Sequence, residues 1–384
     1  MCEIRVDSIG NESNTVGPVL SGITTFSGQQ YFIPPTGTTA ERPSDCPPGS
    51  IRFNTDSAHL EYWNGSVWLE FEATSEELGN QNASSSESGG TGTRGLSAAN
   101  NTGDSNISYF SFSTLGNTID FGDLNASRTN GTLGCASRTR AIFGGGNGQS
   151  TTEFVTIAST GNGTSFGNLV NNAREGIRAL SNQTRGILYG GYDRPNSFAY
   201  YNVISYITIA STGDAQDFGD LHADVDKQNY AGALASSVRG LIAGSGNHPG
   251  NINNINYLTI STQGNSLDFG DLTFGGRAGT AGLSNSTRGI FGGADNPSRN
   301  IIDFVTIATT GNAQDFGDLT TTTDYYMGGA SPTRGVFLYA DSPNASMDKI
   351  EIATTGNAVE FGNDPITNAT NMDAQIATNG HGGL

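Results

Sequence analysis

Short segments of alternating apolar and polar residues fill most of this chain, and turns containing Gly or Asn separate them. Ile301–Ala308 is a clear example: it is followed by the turn Thr310-Gly311-Asn312 and by a second short segment, Ala313–Leu319. Alternation over four to eight residues is typical of half-buried β-strands. The chain also lacks runs rich in the strong helix formers Ala, Glu, Lys and Leu. We therefore predict an all-β protein.

One short phrase, Phe-Gly-Asp-Leu or a variant of it, recurs along the chain. Its six Phe residues are Phe121, Phe166, Phe218, Phe269, Phe316 and Phe361. Successive copies are 45, 52, 51, 47 and 45 residues apart. A period near 50 residues in an all-β sequence is typical of propeller blades.

Two further sequence features recur with the same period as this phrase. One is a turn of Gly followed by Asn or Asp before each copy, as at Gly311-Asn312. The other is an arginine in the second predicted strand of each repeat: Arg94, Arg140, Arg185, Arg239, Arg288 and Arg334. Each feature occurs six times, and the clearest repeat has four strand-like segments. We therefore predict a six-bladed β-propeller over residues 93–384.

The two ends of this repeat array complement each other. The first repeat starts at its second strand with Arg94, whereas residues 372–379 after the last repeat align with a first strand. We expect this C-terminal segment to pair with the first blade and close the ring, which leaves no open sheet edge. The same alignment places His381 in the slot of the repeating arginine. In the fifth repeat, the alignment predicts a first strand at Arg277–Leu283 and a second strand at Thr287–Gly293.

The N-terminal residues 1–73 follow a different pattern. Gly22–Pro35 alternates like a strand, and Ser50–Phe71 predicts a three-stranded meander with a hairpin at Asn64-Gly65. Such a small sheet buries little core by itself, so we expect it to need a partner, either another copy of itself or another protein. Residues 74–92 are rich in Ser and Gly and predict a flexible linker.

Composition narrows the function classes. The 54 glycines suit many tight turns, and the net charge of −18, with no basic stripe, argues against nucleic acid as a partner. No apolar run is long enough for a membrane span, and the N-terminus predicts no signal peptide. Three cysteines at no metal-ligand spacing predict neither a disulfide framework nor a zinc site.

The repeats resemble Kelch repeats. The shared features are a small-residue first strand, a second strand that ends in a Gly pair, as at Gly144-Gly145, and an aromatic in the fourth strand. The chain departs from Kelch repeats in having Phe for the fourth-strand Trp and in lacking the third-strand Tyr. The resemblance implies the fold of residues 93–384 more than a function.

The N-terminal part is similar to modules of tailed-bacteriophage fibre and appendage proteins. The residues that carry this resemblance are Gly49–Asp56 and Leu60–Trp68. The opening Glu3–Asp7 and the segment Gly22–Pro35 resemble virion proteins of marine phages, especially those of cyanobacteria. The resemblance implies a structural protein of the particle, and trimers are usual among phage fibres.

Candidate binding residues lie in the loops between the second and third strands, which differ in every blade. Variable loops on a rigid scaffold are where specificity is usually found, and Tyr and Arg dominate contact energies. The residues we select are Tyr192, Arg194, Phe198, Tyr200, Tyr201, His248 and Arg299. The alternative is that these loops are merely solvated.

Other repeated or reactive residues have structural interpretations. We expect the six arginines to bond carboxylates or backbone carbonyls between blades, and the Asp or Asn of the phrase to cap a turn. His222 with His248 is a weak candidate for a metal pair. No catalytic motif is recognised, so we expect a protein that is not an enzyme and needs no cofactor or metal.

The sequence therefore predicts a virion protein, a tail fibre, baseplate or capsid appendage. Its N-terminal module would bind other virion proteins, and its propeller would contact a host-surface glycan or protein or a neighbouring virion protein. We expect a homo-oligomer without membrane insertion, made in the host cytoplasm. The alternatives are a scaffold propeller with no role in attachment and an enzyme that acts on surface polysaccharide.

Overall fold

The computed structural model describes most of the chain. Its two compact units are Met1–Glu76 and Glu77–Leu384. In the described residues, regular structure is β-strand apart from a 3₁₀ turn at Thr39–Glu41, and no helix there is long and apolar enough to cross a membrane. The described residues are 34–57, 59–71, 93–98, 105–129, 131–146, 148–170, 173–193, 199–222, 230–245, 252–275, 277–294, 297–323, 325–341, 344–365 and 375–384.

The N-terminal unit contains a four-stranded sheet where the sequence predicts three strands. The additional strand pairs in parallel with its neighbour, and the other pairs are antiparallel. In spatial order the strands are β1 (Thr36–Gly37), β2 (Ile51–Asn54), β3 (His59–Trp63) and β4 (Trp68–Glu70). In the turn between β3 and β4, Asn64 Oδ1 accepts the N–H groups of Ser66 and Val67, both at 2.8 Å. The predicted strand before Pro34 and the predicted linker 74–92 lie outside the described residues.

The second unit contains six four-stranded antiparallel sheets. The strands in chain order are β5 (Arg94–Ala98), β6 (Asn106–Ser111), β7 (Ile119–Asp123), β8 (Leu133–Ala136), β9 (Arg140–Gly144), β10 (Thr151–Thr156), β11 (Thr164–Asn168), β12 (Arg178–Ser181), β13 (Arg185–Tyr189), β14 (Tyr192–Asp193), β15 (Ala199–Tyr200), β16 (Val203–Thr208), β17 (Gln216–Asp220), β18 (Gly232–Ala235), β19 (Arg239–Ser245), β20 (Ile252–Thr259), β21 (Leu267–Asp271), β22 (Ala281–Ser284), β23 (Arg288–Ala294), β24 (Arg299–Thr306), β25 (Gln314–Asp318), β26 (Tyr326–Ala330), β27 (Arg334–Asp341), β28 (Asn344–Glu351), β29 (Val359–Asp364) and β30 (Ile376–Thr378).

We number the sheets by their place along the chain. Sheet 1 is β30-β5-β6-β7, sheet 2 is β8 to β11, and sheet 3 is β12-β13-β16-β17, with β14 and β15 forming a separate hairpin. Sheets 4, 5 and 6 are β18 to β21, β22 to β25 and β26 to β29. The first strands β30, β8, β12, β18, β22 and β26 contact one another in this cyclic order, and β26 returns to β30. The six sheets therefore form a closed ring with their first strands innermost.

Sheet 1 combines the two ends of this unit. Ile376 pairs with Ser97, and Thr378 pairs with Gly95, in an antiparallel ladder. The strand ends at Thr378, one residue before the predicted end, and residues 372–374 of the predicted segment lie outside the described residues. Thr378 Oγ1 also donates to Ala330 O of sheet 6 at 2.9 Å. The tail thus supplies the innermost strand of the first sheet and contacts the last sheet.

The hydrophobic core lies between neighbouring sheets. Each of six buried clusters combines residues from two adjacent sheets; in one of them, Ile187 and Phe218 of sheet 3 pack with Ala233 and Ile242 of sheet 4. The Phe of each phrase is buried in such a cluster, with 2–3% of its surface exposed. Because each sheet is covered on both faces in this way, its second strand is almost continuously apolar after the first residue, as in β9 and β13.

One predicted strand boundary is wrong. The first strand of sheet 5 begins at Ala281, four residues after the predicted start at Arg277. Arg277 lies in the preceding loop, where its fully buried guanidinium approaches Asp303 at 2.7 Å. The backbone N–H of Arg277 donates to Ile252 O at 3.1 Å, and its carbonyl accepts the N–H of Ser245 at 2.7 Å. Arg277 is therefore bonded to the backbone of sheet 4 instead of the ladder of sheet 5, and the small-residue pattern extended the prediction too far toward the N-terminus.

Candidate functional site

The six repeating arginines connect each sheet to the next. Arg94 Nη1 donates to Ile157 O at 2.9 Å and Ala158 O at 3.2 Å, just after the third strand of sheet 2. Arg140, Arg185, Arg239 and Arg288 make the same pair of bonds to their following sheets. In sheet 6, Arg334 donates to Phe112 O of sheet 1. Arg334 Nε also donates to Glu351 Oε1 of its own sheet at 3.2 Å. Because all six guanidinium groups donate to the backbone of a neighbouring sheet, they act as links within the ring.

Five of the six links are supported by an aromatic stack, which the comparison with Kelch repeats overlooked. An aromatic residue lies in the third strand of five sheets, under the arginine of the same sheet, at 4.4 to 4.8 Å from guanidinium carbon to ring centroid. These residues are Tyr109, Phe154, Tyr206, Tyr257 and Phe304. Each also makes an edge contact with the Phe of its own phrase. Cation–π attraction and the forked hydrogen bonds therefore act on the same side chain.

The recurring phrase and the Gly-Asn turn also connect neighbouring sheets. Gly161 N–H donates to Phe121 O at 2.8 Å, and Asn162 Oδ1 accepts Asp123 N–H at 3.1 Å. The same pair of contacts occurs at all six interfaces. The capping side chain therefore belongs to the turn of the next repeat, so the hypothesis that the phrase's own Asp or Asn caps a turn is wrong for this contact.

Sequence reasoning missed a set of buried polar residues in the third strands. All six ladders between third and fourth strands have a bulge, and a buried polar residue lies at each. These residues are Ser108, Glu153, Ser205, Asn256, Asp303 and Asp348. Bulges re-aim side chains: Glu153 and Asp303 point to the buried arginines Arg128 and Arg277, each at 2.7 Å. In four of the six third strands, a polar residue between two apolar or aromatic neighbours, as in Ile302-Asp303-Phe304, was the available sequence signal.

Arg174 is the exception in this pattern. It is fully buried, but the bulge position of its sheet is Ser205 rather than a carboxylate. Its Nη1 donates to Gly190 O at 3.0 Å, and its guanidinium lies 5.8 Å from the ring of Tyr201. Burial lowers the pKa of Arg174 from 12.5 to about 10, so the group stays cationic at neutral pH. A buried positive charge therefore lies directly beside one of the sequence-selected tyrosines.

The structure describes four of the seven residues selected for binding. Tyr192, Tyr200 and Tyr201 come together through the β14–β15 hairpin, where Tyr192 pairs with Tyr200. Arg299 lies apart from them in sheet 5 and stacks on Phe274 at 3.6 Å. Arg194, Phe198 and His248 lie outside the described residues.

A chain of four tyrosine rings crosses the face formed by the loops before the first strands and after the second strands. We call Tyr192, Tyr200, Tyr230 and Tyr325 the tyrosine cluster. Ring centroids are 5.7 Å apart for Tyr192–Tyr200, 6.4 Å for Tyr192–Tyr230 and 5.5 Å for Tyr230–Tyr325. The Tyr192 and Tyr230 hydroxyl groups are 3.2 Å apart. Two rings come from the β14–β15 hairpin and two from the segments preceding sheets 4 and 6, so the closed ring brings them together.

Tyr230 lies over the centre of the ring. The guanidinium of Arg178 is 5.3 Å from its centroid, and a Cβ added at Gly131 of the segment before sheet 2 would be 2.9 Å from its Cε1. Tyr230 and Tyr325 have φ of 51° and 55°, the only positive values for non-glycine residues in the described part of the chain. Such a conformation costs about 1–3 kcal/mol and is concentrated at functional sites. Along the sequence, the only sign of these two residues is a large aromatic just before a small-residue strand.

Both ends of the central channel carry polar side chains from the C-terminal segment. At one end, Gln375 Oε1 accepts the N–H groups of Gly134 at 3.2 Å and Ala179 at 2.6 Å. Toward the other end lies His381, and the free space between the first strands is about 50 Å³. That volume admits a few waters, whereas small-molecule sites usually need about 300 Å³ or more. A small-molecule ligand would therefore bind on the surface of the ring rather than inside the channel.

The assignment of His381 to the repeating arginine slot is wrong. Arg94 fills that slot in sheet 1, while His381 lines the channel beyond β30. Gly383 N–H donates to His381 Nδ1 at 3.1 Å, so Nε2 carries the proton and donates to Ala136 O at 3.0 Å. Burial lowers the pKa of His381 to about 4, although the bond to Ala136 acts in the opposite direction. The imidazole that lines this part of the channel is therefore neutral at pH 7.

The remaining candidate chemistry is limited to what the described residues permit. His222 lies just after sheet 3, and its suggested metal partner His248 is outside the described part, so the pair is not located. Among described residues, no group of three or more His, Cys, Asp or Glu could hold a metal ion. Burial raises the pKa of the Cys135 thiol to about 12, which keeps it protonated within the core.

Comparisons with known proteins identify no family for the chain. No protein-family model matches the chain. No curated protein matches it either. Among solved structures, a similar one is described as "Structure of YjhT", with 10% sequence identity and a TM-score of 0.45, over 55% of this chain and 72% of that chain. This similarity assigns no fold, ligand or activity to the chain.

Proposed function

We propose that this protein is a structural component of a tailed-phage virion, a tail fibre, baseplate or capsid appendage. Its ring of sheets acts as a six-bladed, Kelch-like propeller that recognises the host surface by binding rather than by catalysis. The N-terminal unit attaches it to other virion proteins. The basis for the virion role is the resemblance of Gly49–Asp56 and Leu60–Trp68 to phage appendage modules.

The tyrosine cluster is the observation that carries the recognition role. Four half-buried or buried rings lie on one face, two of them with strained backbones, and the buried cation Arg178 lies 5.3 Å from the ring of Tyr230. Aromatic faces stack on sugar rings and anchor protein contacts. The links between all six sheets hold this face rigidly, and a rigid face loses little entropy when it binds.

A binding experiment on cells tests the recognition role. The purified, fluorescently labelled chain is mixed with intact cyanobacterial cells, and bound fluorescence is measured by flow cytometry. Replacing Tyr230 or Tyr325 with Asn removes the ring, while Asn tolerates the positive φ of these positions. We expect each variant to bind about tenfold more weakly, the loss of one anchor contact.

The matched control is Val238→Asn. Val238 is 59% exposed and lies in the turn before β19, away from the tyrosine cluster. This variant should bind like the wild type. Equal binding by all three variants would rule out the tyrosine cluster as the recognition face.

The virion role is tested separately on phage particles. The chain should copurify with particles in fixed stoichiometry and be located on them by cryo-electron microscopy. Its absence from purified particles would favour a scaffold function. Release of reducing sugar from host envelope by the purified chain would contradict action by binding alone.

A further inference from the structure

Three sheets carry a buried arginine in the loop before their first strand. Arg128, Arg174 and Arg277 precede the linking arginines of sheets 2, 3 and 5 by 12, 11 and 11 residues, and all three are fully buried. Arg128 Nη1 donates to Gly145 O at 3.0 Å. Arg174 Nη1 donates to Gly190 O, the equivalent carbonyl group of sheet 3, also at 3.0 Å. Arg128 and Arg174 therefore occupy the same place in their repeats, and Arg277 has matching spacing.

Two of these three charges are neutralised by a carboxylate from the bulge of the third strand. Glu153 Oε1 lies 2.7 Å from Arg128 Nη2. Asp303 Oδ2 lies 2.7 Å from Arg277 Nη2. The bulge residue of sheet 3 is the neutral Ser205, whose hydroxyl group donates to a backbone carbonyl of its own sheet at 3.4 Å. A buried cation is costly unless an opposite charge lies beside it, so sheet 3 requires another source of negative charge.

Arg174 has no carboxylate partner in the part of the chain that the structure describes. Its Nε and Nη2 groups have no hydrogen-bond acceptor there. Glu175 and Asp193 are also buried, but among these residues neither forms an ion pair with Arg174. Asp193 instead accepts the hydroxyl group of Tyr201 at 3.4 Å. The ring of Tyr201 lies 5.8 Å from the guanidinium carbon, close to the limit of about 6 Å for a cation–π contact.

We propose that a halide ion such as chloride binds between Arg174 and Ser205 and neutralises this buried charge. The ion takes the place that the carboxylates of Glu153 and Asp303 fill in sheets 2 and 5. Charged N–H donors bind anions strongly where water is excluded, and the hydroxyl hydrogen of Ser205 rotates to donate to the same ion. A single-atom anion suits this place better than a larger acid, because Arg174 has no exposed surface that a ligand could reach from solvent.

Thermal unfolding of the purified full chain tests this proposal, which does not depend on the recognition function. The protein is dialysed into sodium gluconate, whose anion is too large for a buried place, and gluconate is then exchanged for chloride at constant ionic strength. An ion that binds only the folded state raises the unfolding midpoint as its concentration increases. We expect a rise of about 5 °C when chloride reaches roughly a hundred times its dissociation constant. Equal midpoints in the two salts would overturn the proposal.

A carboxylate supplied by the chain should replace the ion. Ser205→Asp gives sheet 3 the residue that sheet 5 has at the equivalent bulge, Asp303. The new carboxylate should pair with Arg174 as Asp303 pairs with Arg277. We expect this variant to have the same midpoint in both salts, higher than that of the wild type in gluconate. A folded variant that responds to chloride as strongly as the wild type would contradict the site.

The matched control is Ser165→Asp. Ser165 is exposed in β11, and the equivalent residue in four of the other five fourth strands is already Asp, as at Asp217. The substitution therefore adds the same charge without touching Arg174. It should respond to chloride like the wild type. Loss of the response in both Asp variants would show a general effect of added charge and overturn the proposal.

Two further variants decide the matter if Ser205→Asp does not fold. Arg174→Met keeps a long side chain in the buried place and removes its charge, so the response to chloride should disappear. Asp303→Ser reproduces the arrangement of sheet 3 around Arg277 and should make the response larger, because two places then take an ion. A wild-type response in both variants would overturn the proposal.

Crystals grown in bromide locate the ion directly by its anomalous scattering. The peak should lie in contact with Arg174 Nη2 and close to the hydroxyl group of Ser205. A water molecule at that place, or bromide at the protein surface only, would overturn the proposal even if chloride raised the midpoint.

Discussion

Arg185 illustrates how one side chain can link two sheets. Its Nη1 donates to Ile260 O at 3.1 Å and to Ser261 O at 3.0 Å, and its guanidinium lies 4.8 Å from the centroid of Tyr206. The planar guanidinium makes the stack and the paired bonds together, whereas the point charge of lysine cannot reproduce both.

Replacing Arg185 with Lys should therefore destabilise the protein by about 2 kcal/mol, the usual value of hydrogen bonds from a charged donor. Urea unfolding followed by circular dichroism measures the change. The control is Arg138→Lys, because Arg138 is exposed in the turn before β9. Equal midpoints for the two variants would contradict the linking role.

The sequence identifies the linking arginines but not the tyrosines of the cluster, for a physical reason. The six linking arginines stand out because their equivalent surroundings require the same side chain at every repeat. Tyr230 and Tyr325 occur at two positions that have no common repeat signal, and they meet only across the closed ring. Contacts between such distant, non-repeating residues leave no pattern along the chain.

Among the elements, the fourth strand and the turn of the next repeat come very close together. A Cβ at Gly219 would be 2.5 Å from Gly264 O, whereas a Cβ at Gly264 would have open space around it. Both residues have φ of +153°. A side chain would therefore strain the backbone at both residues, but it would clash with the neighbouring sheet only at Gly219.

Gly219→Ala should accordingly destabilise more than Gly264→Ala, by about 2 kcal/mol, a typical cost of inserting an extra carbon in a packed interface. Thermal unfolding of both variants in parallel measures the difference. Similar losses would mean that only the positive φ matters and that the two sheets can separate at little cost.

Element boundaries were less predictable than element type. The all-β class follows from alternation and turn residues, and the structure bears it out. The late start of β22 and the bulges in all six third strands do not follow from these patterns. At the bulge of β24, the buried Asp303 is paired with Arg277 of a preceding loop, and a propensity-based prediction cannot recognise a charge that is satisfied by tertiary contact.

At the scale of the whole molecule, the ring is held by the pairing of its two ends. β30 supplies the innermost strand of sheet 1, and the same segment contributes Gln375 and His381 to the channel. Without it, β5 would have an unpaired edge, and sheets 6 and 1 would lose their innermost contact.

Removing residues 375–384 should therefore lower the thermal midpoint by about 5–10 °C, on the scale of a few kcal/mol for a domain of this size. Differential scanning calorimetry also tests cooperativity, which should decrease as the ring opens. A chain shortened only by Leu384 serves as the control. An unchanged midpoint and transition width after the longer truncation would contradict the closing role of β30.

The sequence by itself determined the β class, the period of the repeats and the identity of the linking arginines, because each of these is a local or regularly repeated requirement. The tertiary structure decided which polar groups are buried together, which tyrosines meet over the channel, and which buried arginines meet a carboxylate. These features depend on burial and on contacts between distant residues. Whether a residue is buried depends on what packs against it in the folded protein. Alternation along a strand shows that the strand has two different faces, but it does not show which face becomes covered.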